Sequence, residues 1–187
     1  ARHAAARPDA WAARDGMRRL TWSQLNSWVD AVAADMAASG LQEGERVSLW
    51  MSNRLEVLVI FLACSRNGYV CNPSLHRNYT VEEVLGLVDR IRSSALIIEE
   101  GYGADAATVD VFAPLAGFER IRRVYKLPSG HQYGDNLPGP GETTAAGPPA
   151  LLNPDKVTYL AFTSGTTGTP KGVMHSDNTL LANCRDL

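Results

Sequence analysis

The chain has 187 residues, of which 45% are hydrophobic and 20% charged, with a formal net charge of −2. This is ordinary globular composition, long enough to bury a core, and it offers no basic footprint for nucleic acid or an anionic membrane. No run of 18 apolar residues is present, which excludes a membrane-spanning helix; Cys64, Cys71 and Cys184 lack C-x-x-C spacing and read as reduced thiols, with no zinc site.

In chain order, the first helical pattern runs from Trp22 to Ser39, with apolar residues at 22, 25, 28, 29, 32, 33 and 36 on one stripe. Thr21 and Gln24 form a capping box, Leu20 can staple onto Leu25, and Gly40 stops the helix. Trp22 and Trp28 sit at helical spacing and are expected in the core. A strand is expected at Val47–Met51. A second helix is expected over Arg54–Asn67, capped by Asn53 and ended by Gly68. Tyr69–Cys71 reads as a strand. Thr80 with Glu83 makes a second capping box for a helix over Val81–Ile91. Ala95–Ile98 reads as a buried strand, Ala104–Leu115 as a weaker helix, and Arg122–Leu127 as a strand. Such alternation predicts an α/β fold built of βαβ units around a mainly parallel sheet.

Between Pro128 and Asp155 the pattern collapses: 11 of 28 residues are Pro or Gly. This segment is expected to be a long surface connection joining two sheets. The chain thus divides into an α/β unit over 1–127, a connection over 128–155, and a final unit over 156–187.

The final unit carries the densest chemistry. Val157–Phe162 is β-branched and aromatic, as a strand should be. Residues 163–172 then read Thr-Ser-Gly-Thr-Thr-Gly-Thr-Pro-Lys-Gly: five hydroxyls, three glycines and one lysine, without an acid. Glycines let a ligand approach backbone N–H groups, hydroxyls add donors, and a lysine suits phosphate. A flexible connector has similar composition, but this stretch lies between a buried-looking strand and the apolar Val173-Met174. It is not a Walker A loop, because Pro170 stands where the second glycine is required and Gly172 follows Lys171. A phosphate-binding loop leaving a strand is the reading that fits.

Thr163–Gly172 matches, over all ten positions, the signature loop of the adenylate-forming enzymes, which include acyl-CoA synthetases, peptide-synthetase adenylation domains and firefly luciferase. The rest of the chain resembles the start of an acyl-CoA synthetase through Pro8-Asp9-Ala10, Arg19–Leu25, Gly44–Val47 and Asn67-Gly68. The resemblance implies activation of a small-molecule carboxylic acid by ATP and transfer of the acyl group to a thiol, usually coenzyme A, with Mg2+ sharing the phosphate charge. It assigns Thr163, Ser164, Gly165, Thr166, Thr167, Gly168, Thr169 and Lys171 to the ATP phosphates and no residue here to proton transfer. It also implies a longer protein, with the adenine and ribose motifs, acyl pocket and mobile C-terminal lysine beyond Leu187.

One departure stands out. Where the family commonly carries a His-x-Asn triplet, this chain has Asp177, Asn178 and Thr179. His175 and Asp177 are therefore the candidate substrate-side residues, with a structural histidine as the alternative at 175. His76 is expected in a turn, Glu82-Glu83 at a helix N-terminus and Glu99-Glu100 at a strand end. A cytoplasmic location is expected, since Ala1–Arg7 lack an apolar h-region. A homo-oligomer through an exposed sheet edge is compatible with the pattern. The rival classes are a non-catalytic nucleotide-binding module and an interaction domain with a vestigial loop.

Overall fold

The computed structural model describes residues 1–142, 149–163 and 170–185. The elements, in order, are α1 (Arg2–Ala6), β1 (Trp11–Asp15), β2 (Arg18–Thr21), α2 (Trp22–Ala38), β3 (Arg46–Trp50), α3 (Leu55–Asn67), β4 (Val70–Asn72), α4 (Val81–Arg90), β5 (Ser93–Glu99), α5 (Phe112–Leu115), β6 (Arg123–Leu127), β7 (Val157–Thr163), β8 (Lys171–Ser176) and α6 (Asp177–Arg185). The fold is α/β. Six strands form one sheet in the order β6-β5-β3-β4-β7-β8, parallel except for the antiparallel edge strand β8.

Local chemistry explains the helix ends. The Gln24 N–H donates to Thr21 Oγ1 at 3.3 Å and the Thr21 N–H donates to Gln24 Oε1 at 2.9 Å. Thr80 and Glu83 repeat this reciprocal bond ahead of α4. Gly68 ends α3 at φ +76°, a left-handed turn that glycine adopts without strain.

The helices cover both faces of the sheet. α2 and α3 pack on one face, where Leu25, Trp28, Val32, Ile60, Val47 and Ile97 form one buried cluster. On the other face, α4 and α5 pack against Trp50, Leu96, Ile98, Leu160 and Phe162. The β3-to-β4 connection moves one way along the sheet and the β4-to-β5 connection moves back over β3. With right-handed crossovers, that reversal puts their helices on opposite faces. Open α/β sheets bind ligands outside the carboxyl ends of the strands at such a reversal.

Four expectations are corrected. The second helix starts at Leu55, and its cap comes from Asp15, whose carboxylate accepts from the Leu55 N–H at 2.7 Å, in place of Asn53. The helix expected over Ala104–Leu115 is one turn, Phe112–Leu115. Asp and Thr side chains upstream bond elsewhere: Asp105 accepts from the Val81 N–H, Thr108 donates to the Asp105 carbonyl, and Asp110 caps Phe112. The connection over 128–155 returns β7 to the same sheet, beside β4, and does not join two sheets. Nor is it wholly superficial, since Leu137 is buried and Trp28 donates its indole N–H to the Pro138 carbonyl. Finally, Trp22 is only half-buried, whereas Trp28 lies in the core.

Candidate functional site

β7 carries apolar Leu160 and Phe162 into the core on one face and Tyr159 and Ala161 toward the other. Its last residue, Thr163, is exposed at the carboxyl edge of the sheet. β8 begins directly opposite, with Lys171 in register with Thr163, and Lys171 is also exposed. The Thr163 hydroxyl donates to the Lys171 carbonyl at 3.4 Å, which ties the two strand ends together. Ser164, Gly165, Thr166, Thr167, Gly168 and Thr169 lie outside the described residues. The two members of the set that are described are brought together as the closing pair of a hairpin.

Strand alternation places Lys171, Val173 and His175 on one face of β8. His175 is paired with Tyr159, ring centroids 6.0 Å apart, and burial pushes the Tyr159 phenol up from its ordinary value. Four residues along the strand separate His175 from Lys171, about 13 Å. Asp177 lies farther away still, at the head of α6 beyond the opposite end of the hairpin. There it pairs with Lys156 at 2.8 Å and accepts from the Thr158 hydroxyl at 3.1 Å and the Ser65 hydroxyl at 3.3 Å. The structure thus separates Asp177 from Thr163 by the length of β7, about 20 Å. A mainly apolar cavity of about 620 Å3, lined by Trp22, Leu25, Leu62, Arg66 and Leu151, opens at that same far end.

His76 is exposed in a turn, its carbonyl accepting from Trp50 Nε1 at 3.1 Å and from the Tyr79 N–H at 3.2 Å. Glu99 is more than a strand end: it is buried, accepts from the Ser52 N–H at 2.8 Å and lies 3.7 Å from Arg54.

Two contacts reach the site from elsewhere in the fold. Ser74 Oγ accepts from the Phe162 N–H at 2.8 Å, and Arg90 Nη1 donates to the Pro170 carbonyl at 2.9 Å. Sequence reading offers no signal for either, since 88 residues separate the first pair and 80 the second.

The family model described as "AMP-binding enzyme" matches residues 1–187. The chain belongs to the AMP-binding enzyme family. It is 31% identical over 179 residues to a methyl-dioxo-octahydroindenyl-propanoyl:CoA ligase of Rhodococcus jostii, covering 87% of this chain and 34% of the ligase. It is 30% identical over 167 residues to the hybrid PKS-NRPS synthetase LUC5 of a Fusarium species, covering 89% of this chain and 4% of that protein. Its fold superposes on the crystal structure of ATP-bound MatB from Rhodopseudomonas palustris with a TM-score of 0.69 and 27% identity, covering 89% of this chain and 31% of that one. The chain therefore spans about a third of the length of the two shorter relatives. No helix among the described residues is long and apolar enough to cross a membrane.

Proposed function

We propose that this chain supplies the phosphate-binding part of an ATP-dependent carboxylic acid ligase that forms an acyl-adenylate and passes the acyl group to coenzyme A. The observation that carries the reading is the placement of Thr163 and Lys171 opposite one another, both exposed, at the carboxyl edge of a parallel sheet. In the reaction, a substrate carboxylate oxygen bonds to the α-phosphorus of ATP and the bond to the bridging oxygen breaks, releasing pyrophosphate. A thiolate then bonds to the acyl carbon and AMP leaves.

The contribution of this chain is electrostatic. Pyrophosphate gathers negative charge as it leaves, and donors aimed at that charge lower the barrier. Lys171 supplies a cation, and Thr163 supplies its hydroxyl proton by exchanging its 3.4 Å bond to the Lys171 carbonyl for one to phosphate, each charge-assisted bond contributing about 1.5–3 kcal/mol. Ser164, Gly165, Thr166, Thr167, Gly168 and Thr169 complete the phosphate set in this reading. A hydroxyl and an ammonium on an exposed edge fit an anionic ligand. Magnesium, when bound, would neutralise part of the phosphate charge. His175 shares a strand face with Lys171 and remains the candidate on the substrate side. The carboxylate of Asp177 is engaged in holding α6 to β7 and α3.

The test is pyrophosphate–ATP exchange by the intact protein across a panel of carboxylic acids, expected to be acid-dependent. Tight ATP binding with no exchange for any acid would reject the ligase in favour of a binding module. A second reading changes only the acceptor: the similarity to a hybrid PKS-NRPS synthetase makes a thiol other than coenzyme A the alternative. Exchange without coenzyme A thioester formation would select it.

A further inference from the structure

β4 and β7 are neighbours, yet they share a single register pair, Cys71 with Tyr159. Beyond it β4 ends at Asn72 and Pro73 follows, so the two backbones part before β7 reaches its carboxyl end. The Phe162 N–H points into that gap, beside a side chain only 8% exposed. A buried N–H without a partner is costly, so something must replace the missing ladder bond.

Ser74 replaces it. Its Oγ accepts from the Phe162 N–H at 2.8 Å, and its hydroxyl proton is donated to Asn72 Oδ1 at 2.7 Å. Asn72 Oδ1 also accepts from the Ser74 N–H at 3.3 Å, and Asn72 Nδ2 donates to Ser48 Oγ at 3.3 Å. Ser48 Oγ in turn lies 2.6 Å from Ser93 Oγ. All four polar residues are buried, so this relay crosses from β5 through β3 and β4 to β7 inside the sheet. The Ser74 hydroxyl both donates and accepts, which fixes its rotamer and thereby the position of the Phe162 N–H.

The other arm of the hairpin is held from the same unit. Arg90, the last residue of α4, donates to the Pro170 carbonyl at 2.9 Å. Phe162 precedes Thr163 by one residue, and Pro170 precedes Lys171 by one. Both contacts therefore act one residue from a group assigned to phosphate, and both arise from the β4–α4 unit.

We propose that Asn72, Ser74 and Arg90 are positioning residues, which hold Thr163 and Lys171 at the separation at which they meet the nucleotide phosphates. This rests on the phosphate role given to that pair above. Misplacement of about 1 Å is enough to reduce catalysis when the work is done by preorganised donors. β7 does not depend on Ser74 for its existence, since it pairs with β8 along its length. Losing Ser74 should therefore lower stability without abolishing the fold, and the effect that marks a positioning role is the one on ATP kinetics.

The experiment compares Ser74→Ala, Ser74→Thr and Arg90→Ala in the intact protein by pyrophosphate–ATP exchange and amide hydrogen exchange. Ser74→Ala should lower kcat/KM for ATP about fivefold, the scale of one neutral hydrogen bond, and leave KM for the acid unchanged. It should also speed exchange at the Phe162 and Thr163 amides, while β3 and β5 keep their protection. Ser74→Thr, which keeps the hydroxyl, should restore both. Arg90→Ala, on an exposed contact, should cost about twofold. Faster Phe162 exchange with unchanged ATP kinetics would overturn the positioning role. Unchanged Phe162 exchange would overturn the relay itself, and would do so even if the unsubstituted protein showed no pyrophosphate exchange, a result that sinks the ligase reading instead.

Discussion

The carboxyl edge of the sheet has two halves built on opposite principles. Beyond β3, β5 and β6 it is sealed by charge. Glu56 is fully buried and accepts from Arg18 at 2.7 and 2.8 Å and from Arg54 at 2.9 and 3.1 Å. Arg54 also donates to the carbonyls of Pro128 and Gln132 and stands beside Glu99, and Arg18 reaches Asp15. Burial pushes the Glu56 carboxyl up, but the two guanidiniums outweigh it and hold it below the usual carboxylate range. Beyond β7 and β8 the edge ends in an exposed hydroxyl and an exposed ammonium. One half satisfies its polar groups internally; the other presents them to solvent. In the proposed phosphate role the exposed Lys171 ammonium is the group left for an anion, and the structural charges that stiffen the sheet are spent elsewhere.

The sharpest way to break this contrast is Glu56→Ala. Two guanidiniums would then lose the carboxylate they share, one of them on a fully buried side chain, and keep only Asp15 and the more distant Glu99. Removing one partner of a buried ion pair costs about 3–5 kcal/mol. Urea unfolding should show a loss of that size, and a loss below about 1 kcal/mol would mean that the sealed half contributes little to stability.

Lys171→Ala probes the open half and should behave in the opposite way. An exposed lysine without structural duty can be truncated within about 0.5 kcal/mol of stability. Pyrophosphate–ATP exchange by the intact protein should nonetheless fall about 10- to 100-fold, the equivalent of one charge-assisted bond. Exchange at the unsubstituted level would remove Lys171 from the phosphate set, and a large fall in stability would show that both halves are structural.

The two halves also differ in how far the amino-acid sequence revealed them. Thr21 with Gln24 and Thr80 with Glu83 are three residues apart, so their caps are legible from spacing alone. The strand preceding Thr163 was equally plain, because strand propensity and a glycine-hydroxyl loop are local properties. The β1–β2 hairpin was not, since Asp15 acts 40 residues away on Leu55 and Arg18 acts 38 residues away on Glu56. Glu99 read as a strand end because nothing in its neighbourhood announces Ser52 or Arg54. Ser74 carried no reading for the same reason. Its partner is a backbone N–H, which every residue except proline carries, so no pattern of side chains could have singled out Phe162.

The finest test of the sealed half is its response to acid, and it turns on Asp15. Burial alone would raise the Asp15 carboxyl, but hydrogen bonds from Arg18 and the Leu55 N–H, the nearby His131 ring and the charge of Arg18 bring it from 3.8 down to about 2. A carboxylate whose folded-state pKa is depressed stabilises the fold fully above its unfolded value and loses that contribution as pH falls through the folded one. The window is therefore pH 4 to 2. Glu56 and Glu45 are also held below their ordinary range and titrate in the same direction, so acid destabilisation of the native chain alone cannot isolate Asp15. The comparison with Asp15→Asn can. Asparagine still offers an oxygen to the Leu55 N–H and keeps the cap on α3, but it carries no charge for Arg18 to meet. The urea midpoint of the native chain should exceed that of Asp15→Asn at pH 6, and the gap should close between pH 4 and pH 2 as the native carboxyl takes up its proton. A gap that stays constant across that window would show that Asp15 acts through its shape and its bond to Leu55, with its charge contributing nothing.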